Sequence, residues 1–107
     1  MSEFVIKRND TSPAWQPTLQ DNAGTAIDLT GATVRFHMET LGGTTVVDAL
    51  ATIVTATAGI VKYAWATGDT ASSGRYRAEF EVTYADSTVE TFPNKGYETV
   101  CITGDVT

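Results

Sequence analysis

The sequence predicts an all-β protein, an antiparallel two-layer sandwich of roughly seven to nine strands, on three observations. Residues 74–84, G-R-Y-R-A-E-F-E-V-T-Y, alternate without a break between Tyr76, Ala78, Phe80, Val82, Tyr84 and Arg75, Arg77, Glu79, Glu81, Thr83. A period of two sends successive side chains to opposite faces, so this strand buries one side and wets the other. Thr, Val, Ile, Tyr and Phe dominate, and Gly or Asn/Asp punctuation recurs roughly every ten residues, the spacing of a sandwich or barrel. Helical periodicity is weak throughout.

The elements follow in order. Phe4 to Lys7 reads as an opening strand, and Asn9-Asp10-Thr11-Ser12-Pro13 as a turn or strand-switch point, because short polar side chains hydrogen-bond their own backbone. Trp15 to Gln20 is the next expected strand, confined to an edge or a bulge by Pro17, which has no N–H for a ladder. Asp21-Asn22-Ala23-Gly24 is a turn, Gly24 accepting positive φ at little steric cost. Ile27 and Leu29 alternate with Asp28, Thr30-Gly31 breaks the run, and Ala32 to Thr40 resumes it with Val34, Phe36, Met38 inward against Arg35, His37, Glu39. Leu41-Gly42-Gly43 ends that strand.

Between Thr44 and Thr57 the apolar residues Val46, Val47, Leu50, Ile53 and Val54 fit one long bent strand or two short ones. Ala58-Gly59 then turns into Ile60 to Trp65, with Val61, Tyr63 and Trp65 on one face. Residues 67–73 form a loop or a single helical turn. Ala85-Asp86-Ser87 is a hairpin connection into Thr88 to Phe92. Pro93-Asn94-Lys95-Gly96 interrupts, and Tyr97 to Thr103 returns as the last strand, Val100 and Ile102 sharing one parity and Cys101 taking the other.

At 107 residues the chain suits one domain, 1–107, large enough for a two-layer core. Its one cysteine cannot form an internal bridge, which fits folding in a reducing cytoplasm. The charged start, with Glu3, Lys7 and Arg8, leaves no leader-like apolar run, and nothing later is long enough to insert in a membrane. A net charge of −6 with scattered basic residues disfavours nucleic acid. With one His and one Cys there is no zinc set, and neither residue sits in a catalytic motif. His37 reads as an exposed strand position and Cys101 as a small hydrophobe on an outer face. Asp21 and Asp28 flank a turn without calcium-loop spacing, so they read as turn formers. No metal, cofactor or catalytic residue is expected, and the protein is expected not to be an enzyme. The charges of Arg75, Arg77, Glu79 and Glu81 read first as a solvated strand face and second as a docking face. Trp15, Tyr63, Trp65, Tyr84, Phe92 and Tyr97 read first as core, with a sugar-binding platform as the alternative if several were exposed and coplanar.

Gly74-Arg75-Tyr76-Arg77-Ala78, with Asp69 upstream, resembles the tyrosine corner of immunoglobulin-like domains, in which a Tyr hydroxyl ties back to the backbone at the entrance to a strand. Ala78 stands where antibody domains carry a Cys, so Ala78 and Phe80 would fill that space. The whole chain also resembles the immunoglobulin-like domain at the N-terminus of phage baseplate upper proteins and related tail and virion modules. The resemblance rests on residues 4–11, 19–24 and 27–36, on Gly74 to Phe80, on Glu90-Thr91-Phe92-Pro93 and on Gly96-Tyr97. It implies an immunoglobulin-like sandwich and a non-enzymatic virion structural protein, made in the bacterial host cytoplasm and assembled into the particle. Its partners would be other phage structural proteins, in a homo-oligomeric or multicopy assembly.

Baseplate upper proteins continue into long extensions, whereas this sequence stops at Thr107. A capsid decoration subunit on the phage head is therefore an alternative to a tail or baseplate part, and a carbohydrate- or receptor-binding module, with a surface glycan as partner, is the other. Tyr76, Phe80, Val82 and Phe36 are the expected structural residues. The expected interface comprises Phe4 and Ile6 on the N-terminal strand, whose outer edge offers unpaired backbone groups, and Pro93, Asn94, Lys95 and Tyr97 in the loop that departs from strand grammar.

Overall fold

The computed structural model describes residues 3–104, so the ends of the expected domain, 1–2 and 105–107, lie outside the described residues. Among the described residues eight strands appear in chain order: β1 (Glu3–Lys7), β2 (Thr33–Thr40), β3 (Thr45–Leu50), β4 (Thr52–Thr55), β5 (Ile60–Lys62), β6 (Gly74–Thr83), β7 (Val89–Phe92) and β8 (Glu98–Thr103), with one 3₁₀ turn at Ala56–Ala58. The main sheet runs β1-β8-β6-β2-β3, and β7 pairs with β6 off that path. β6, the strand with the longest alternation, is central: β2 pairs along one side of it, while β8 covers Gly74 to Ala78 and β7 covers Phe80 to Thr83 on the other. β7 and β8 are thus two halves of one interrupted strand.

The sandwich is not wholly antiparallel. β1 pairs with β8 in parallel, Glu3 opposite Thr99 through Lys7 opposite Thr103, a pairing open to the first and last strands because no hairpin joins them. The second layer is thin. Its regular part is the β4–β5 pair, and the expected strand from Trp15 to Gln20 contributes only isolated bridges, Trp15 to Tyr63, Thr18 to Ile60 and Gln20 to Ala26. Pro17 removes a donor from the middle of that segment, so a continuous ladder cannot form through it. Ile27 and Leu29 alternate as expected without joining a strand, Leu29 being fully buried. The segment from Thr44 to Thr57 resolves into two strands, β3 in the main sheet and β4 in the second layer.

The two layers enclose one hydrophobic cluster. Val34, Phe36 and Met38 of β2 and Tyr76, Ala78, Phe80 and Val82 of β6 supply one wall; Trp15, Leu19, Leu29, Val61, Tyr63 and Trp65 supply the other. Phe36 sits at its centre, stacked on Tyr63 at 4.4 Å between ring centroids and tilted against Phe80 at 5.1 Å. Trp15 and Trp65 meet it edge-on at 5.8 and 5.7 Å. Such offset and edge-to-face pairs satisfy the ring quadrupoles, and Ala78 leaves room for them where a bridging cysteine would otherwise stand. Tyr76 donates its hydroxyl to the Ser72 carbonyl at 2.6 Å, the corner geometry that pins the loop to the start of β6. Asp69 serves a different tyrosine: it accepts from Tyr63 Oη at 2.5 Å and from the Ala66 amide at 2.8 Å. Burial, followed by this carboxylate, pushes the Tyr63 phenol well above its ordinary range.

Candidate docking surface

Phe92 closes β7 with its ring buried, the next peptide bond is cis, and the chain leaves the sheet at Pro93. Gly96 takes a φ of 74°, accessible to glycine without strain, and turns the chain back so that Glu98 rejoins opposite Ala78. Pro93 is half-buried, whereas Asn94, Lys95 and Tyr97 are exposed. The loop is held from beneath: Asn94 Nδ2 donates to Glu90 Oε2 at 3.0 Å and to the Thr91 carbonyl at 3.1 Å, while Glu90 Oε1 accepts the Tyr84 hydroxyl at 2.6 Å. Desolvation, then Glu90, raises the Tyr84 phenol well above its ordinary range.

On the core side of this loop lies a groove of about 530 Å³, walled by Pro17 to Asn22 of the second layer and by Pro93, Asn94, Lys95 and Glu98. Its floor is Phe80 and Phe92. Opposite the loop, Asp21 Oδ1 accepts the amides of Ala23 and Thr25 at 2.9 and 3.0 Å, fixing the Asp21–Gly24 turn as the far wall. An apolar floor inside a polar rim is the arrangement that seats a partner's anchoring side chain while the rim excludes water. Sequence reasoning found the loop and missed the wall from Pro17 to Asn22, since nothing local says that this segment faces Phe92 across the gap.

On the other side of the loop Tyr97 reaches over the outer face of the main sheet. Its ring lies 5.7 Å from the Arg77 guanidinium carbon, and both line a smaller recess of about 230 Å³ with His37, Glu39 and Glu79. The outer-face charges are largely paired within the sheet. Arg77 meets Glu39 at 2.9 Å, Arg35 meets Asp48 at 2.5 Å, and Arg75 bonds Glu3. The Arg35 hydrogen bond holds the Asp48 carboxyl below its usual range. His37 lies between Asp48, 3.6 Å from Nδ1, and Glu81, 3.9 Å from Nε2. Asp28 accepts from the amide and hydroxyl of Thr30, which lowers its pKa and makes it a turn former. Among the described residues no group of three His, Cys, Asp or Glu side chains could hold a metal ion.

Two of the expected interface side chains are elsewhere. Ile6 is 4% exposed and belongs to the core, and Phe4 is half-buried, stacked on Trp15 and Trp65 at 5.6 Å each. Strand parity explains the correction: even-numbered residues of β1 face the core, so the apolar side chain β1 presents outward is Val5, 55% exposed. What β1 offers a partner is its backbone edge. Of the six aromatic residues weighed for a sugar platform, Trp15, Tyr63, Trp65 and Phe92 are buried, Tyr84 is half-buried and only Tyr97 is exposed, so these side chains assemble no such platform.

The family model of the BppU N-terminal domain matches residues 18–93, well over half of the chain. The chain belongs to that family. It is accordingly a phage baseplate or virion structural protein, and the matched region begins within the groove's second-layer wall, at Thr18, and ends at Pro93, where the chain leaves the sheet. Among solved structures, CopC from Methylosinus trichosporium OB3b superposes with a TM-score of 0.58 at 10% identity, covering 100% of this chain and 89% of that one. A likeness at that identity is one of fold alone. No curated protein matches the sequence.

Proposed function

We propose that this BppU N-terminal domain is a non-enzymatic docking module of the virion. It is made in the bacterial host and built in many copies into the tail or baseplate, where it attaches to neighbouring structural subunits through the Pro93–Tyr97 loop, the groove beneath it and short sheet edges. Family membership carries this reading. The loop and groove support it physically: a concave surface with a buried aromatic floor, on a rigid sheet, is suited to lasting contact. The paired charges of the outer face leave that surface a weaker candidate, since exposed ion pairs contribute only about 0–1 kcal/mol each.

The test is cryo-EM localisation of the protein on particles purified from its native source, with a Lys95→Glu/Tyr97→Ala variant alongside. Regular density at the tail tip, reduced for the variant although its fold is intact, is the expected result. Density spread over the head shell would replace it with the decoration role, and absence from particles would overturn it.

A further inference from the structure

The open edge of β1 is self-complementary, and we infer that it pairs with the same edge of a second copy about a two-fold axis through Val5. This deepens the docking role proposed above by naming the partner of one edge.

The backbone decides which groups are available. The Arg8 amide donates to the Thr103 carbonyl at 2.7 Å, and in a parallel ladder the amide and carbonyl of a residue point to the same side, alternating along the strand. Residues 4, 6 and 8 therefore serve β8, and Glu3, Val5 and Lys7 turn their backbone groups outward; the Lys7 carbonyl also accepts the Asp10 amide at 3.1 Å in the turn that follows, so Lys7 brings its amide and the second lone pair of that carbonyl to the edge. Among the described residues no strand pairs with that side. An antiparallel copy centred on Val5 sets Val5 against Val5 as a hydrogen-bonded pair, and Glu3 against Lys7 in both directions. Every residue of the five-residue strand is then matched in ladder parity.

The side chains agree with the backbone. In an antiparallel pair, residues directly opposite project to the same face. Glu3 thus meets the copy's Lys7 on the outer face, and Phe4 meets the copy's Ile6 on the core face. Val5, exposed in the protomer, covers its twin. Glu3 already bonds Arg75, which holds the carboxylate beside the place the incoming ammonium would take. Lys7 has no ion-pair partner among the described residues. The opposite edge of the sheet lacks this match. There the Ala51 amide donates to the Val34 carbonyl, so the outward amides of β3 are those of Val46, Asp48 and Leu50. A two-fold centred on them sets Asp48 against its own copy, a like-charge pair.

Charge swapping and cross-linking test the pairing. Sedimentation equilibrium of the full chain should show a concentration-dependent dimer, weakened about tenfold by Lys7→Glu and likewise by Glu3→Lys, each of which puts like charges opposite. Mixing the two variants should restore association, because each then supplies the charge the other lacks. Val5→Cys in a Cys101→Ser background, needed because Cys101 lies opposite Val5 in β8, should give a disulfide-linked dimer, since hydrogen-bonded antiparallel pairs hold Cα atoms about 5.5 Å apart. A chain that stays monomeric, a dimer indifferent to both charge variants, or a mixture that fails to associate would overturn the inference. Particle incorporation read in parallel separates the two ideas: incorporation without dimer formation removes the β1 pairing alone, whereas loss of incorporation by an intact dimer removes the docking role.

Discussion

Replacing Phe36 with alanine removes the ring on which the aromatic cluster turns. The side chain has no exposed surface and touches four other rings, so the surrounding core can collapse only by moving several large groups at once. Truncating a fully buried phenylalanine costs about 3–5 kcal/mol in transfer and cavity terms. A domain of this size holds about 5–15 kcal/mol in all and loses about 4 °C of Tm per kcal/mol. The expected fall in Tm is thus about 12–20 °C, with a proportionate drop in the urea midpoint at unchanged slope. Equilibrium urea unfolding followed by tryptophan fluorescence is the assay, since Trp15 and Trp65 both contact Phe36. A double-mutant cycle with Tyr63→Leu should add a coupling of about 0.5–1.5 kcal/mol from the stacked pair. A loss below about 1.5 kcal/mol for Phe36→Ala, less than half of what cavity formation at a rigid site gives, would show that the cluster relaxes freely and that its ring geometry is not what holds the layers together.

Two further outcomes are expected. Gly59→Ala should be far more damaging than Gly24→Ala: both have positive φ, but a Cβ at Gly59 would lie 2.8 Å from the carbonyl oxygens of Leu19 and Ile27, whereas at Gly24 it meets nothing within 4 Å. Gly24→Ala should cost about 1–2 kcal/mol, the strain of a left-handed residue alone, and a urea midpoint showing Gly59→Ala equally mild would refute the close approach. On the acid side, Asp28, Asp48 and Asp86 have carboxyls held below their usual value of 3.8 by hydrogen bonds from Thr30, Arg35 and Thr88. A depressed folded pKa stabilises above the unfolded value and loses that contribution as pH falls through the folded one. The urea midpoint should therefore decline as the pH falls below about 4, and less steeply in the triple Asn variant; equal slopes would refute the assignment.

What was legible in the sequence was whatever is decided within a few residues. Alternation in β2 and β6 gave both their faces and the core residues Phe36, Phe80 and Val82, because parity is a local property of a pleated backbone. Asp21–Gly24 and Ala85–Ser87 were readable for the same reason, their side chains closing their own turns. Sheet membership is decided at a distance. Nothing near Thr52 says that β4 leaves the main sheet after one residue, and nothing near Glu3 says that β1 runs parallel to its neighbour. The segment around Trp15 carries strand-like composition, yet Pro17 leaves it with bridges only. The groove was half legible for this reason: Pro93 to Gly96 announces an interruption, whereas its opposite wall depends on tertiary packing.

The excursion between Pro93 and Tyr97 leaves and re-enters the sheet against the same partner strand with its side-chain parity preserved, since Phe92 pairs with Phe80 and Glu98 with Ala78, the five residues of the detour standing opposite Glu79 alone. Residues in such a detour can be added or exchanged without re-threading either half of the interrupted strand. Lengthening it would cost little beyond loop closure, about 0.6 kcal/mol per doubling. The framework can stay constant while the detour is rewritten, so related virions could diversify what this domain grips by editing five residues and leaving the rest of the sandwich untouched.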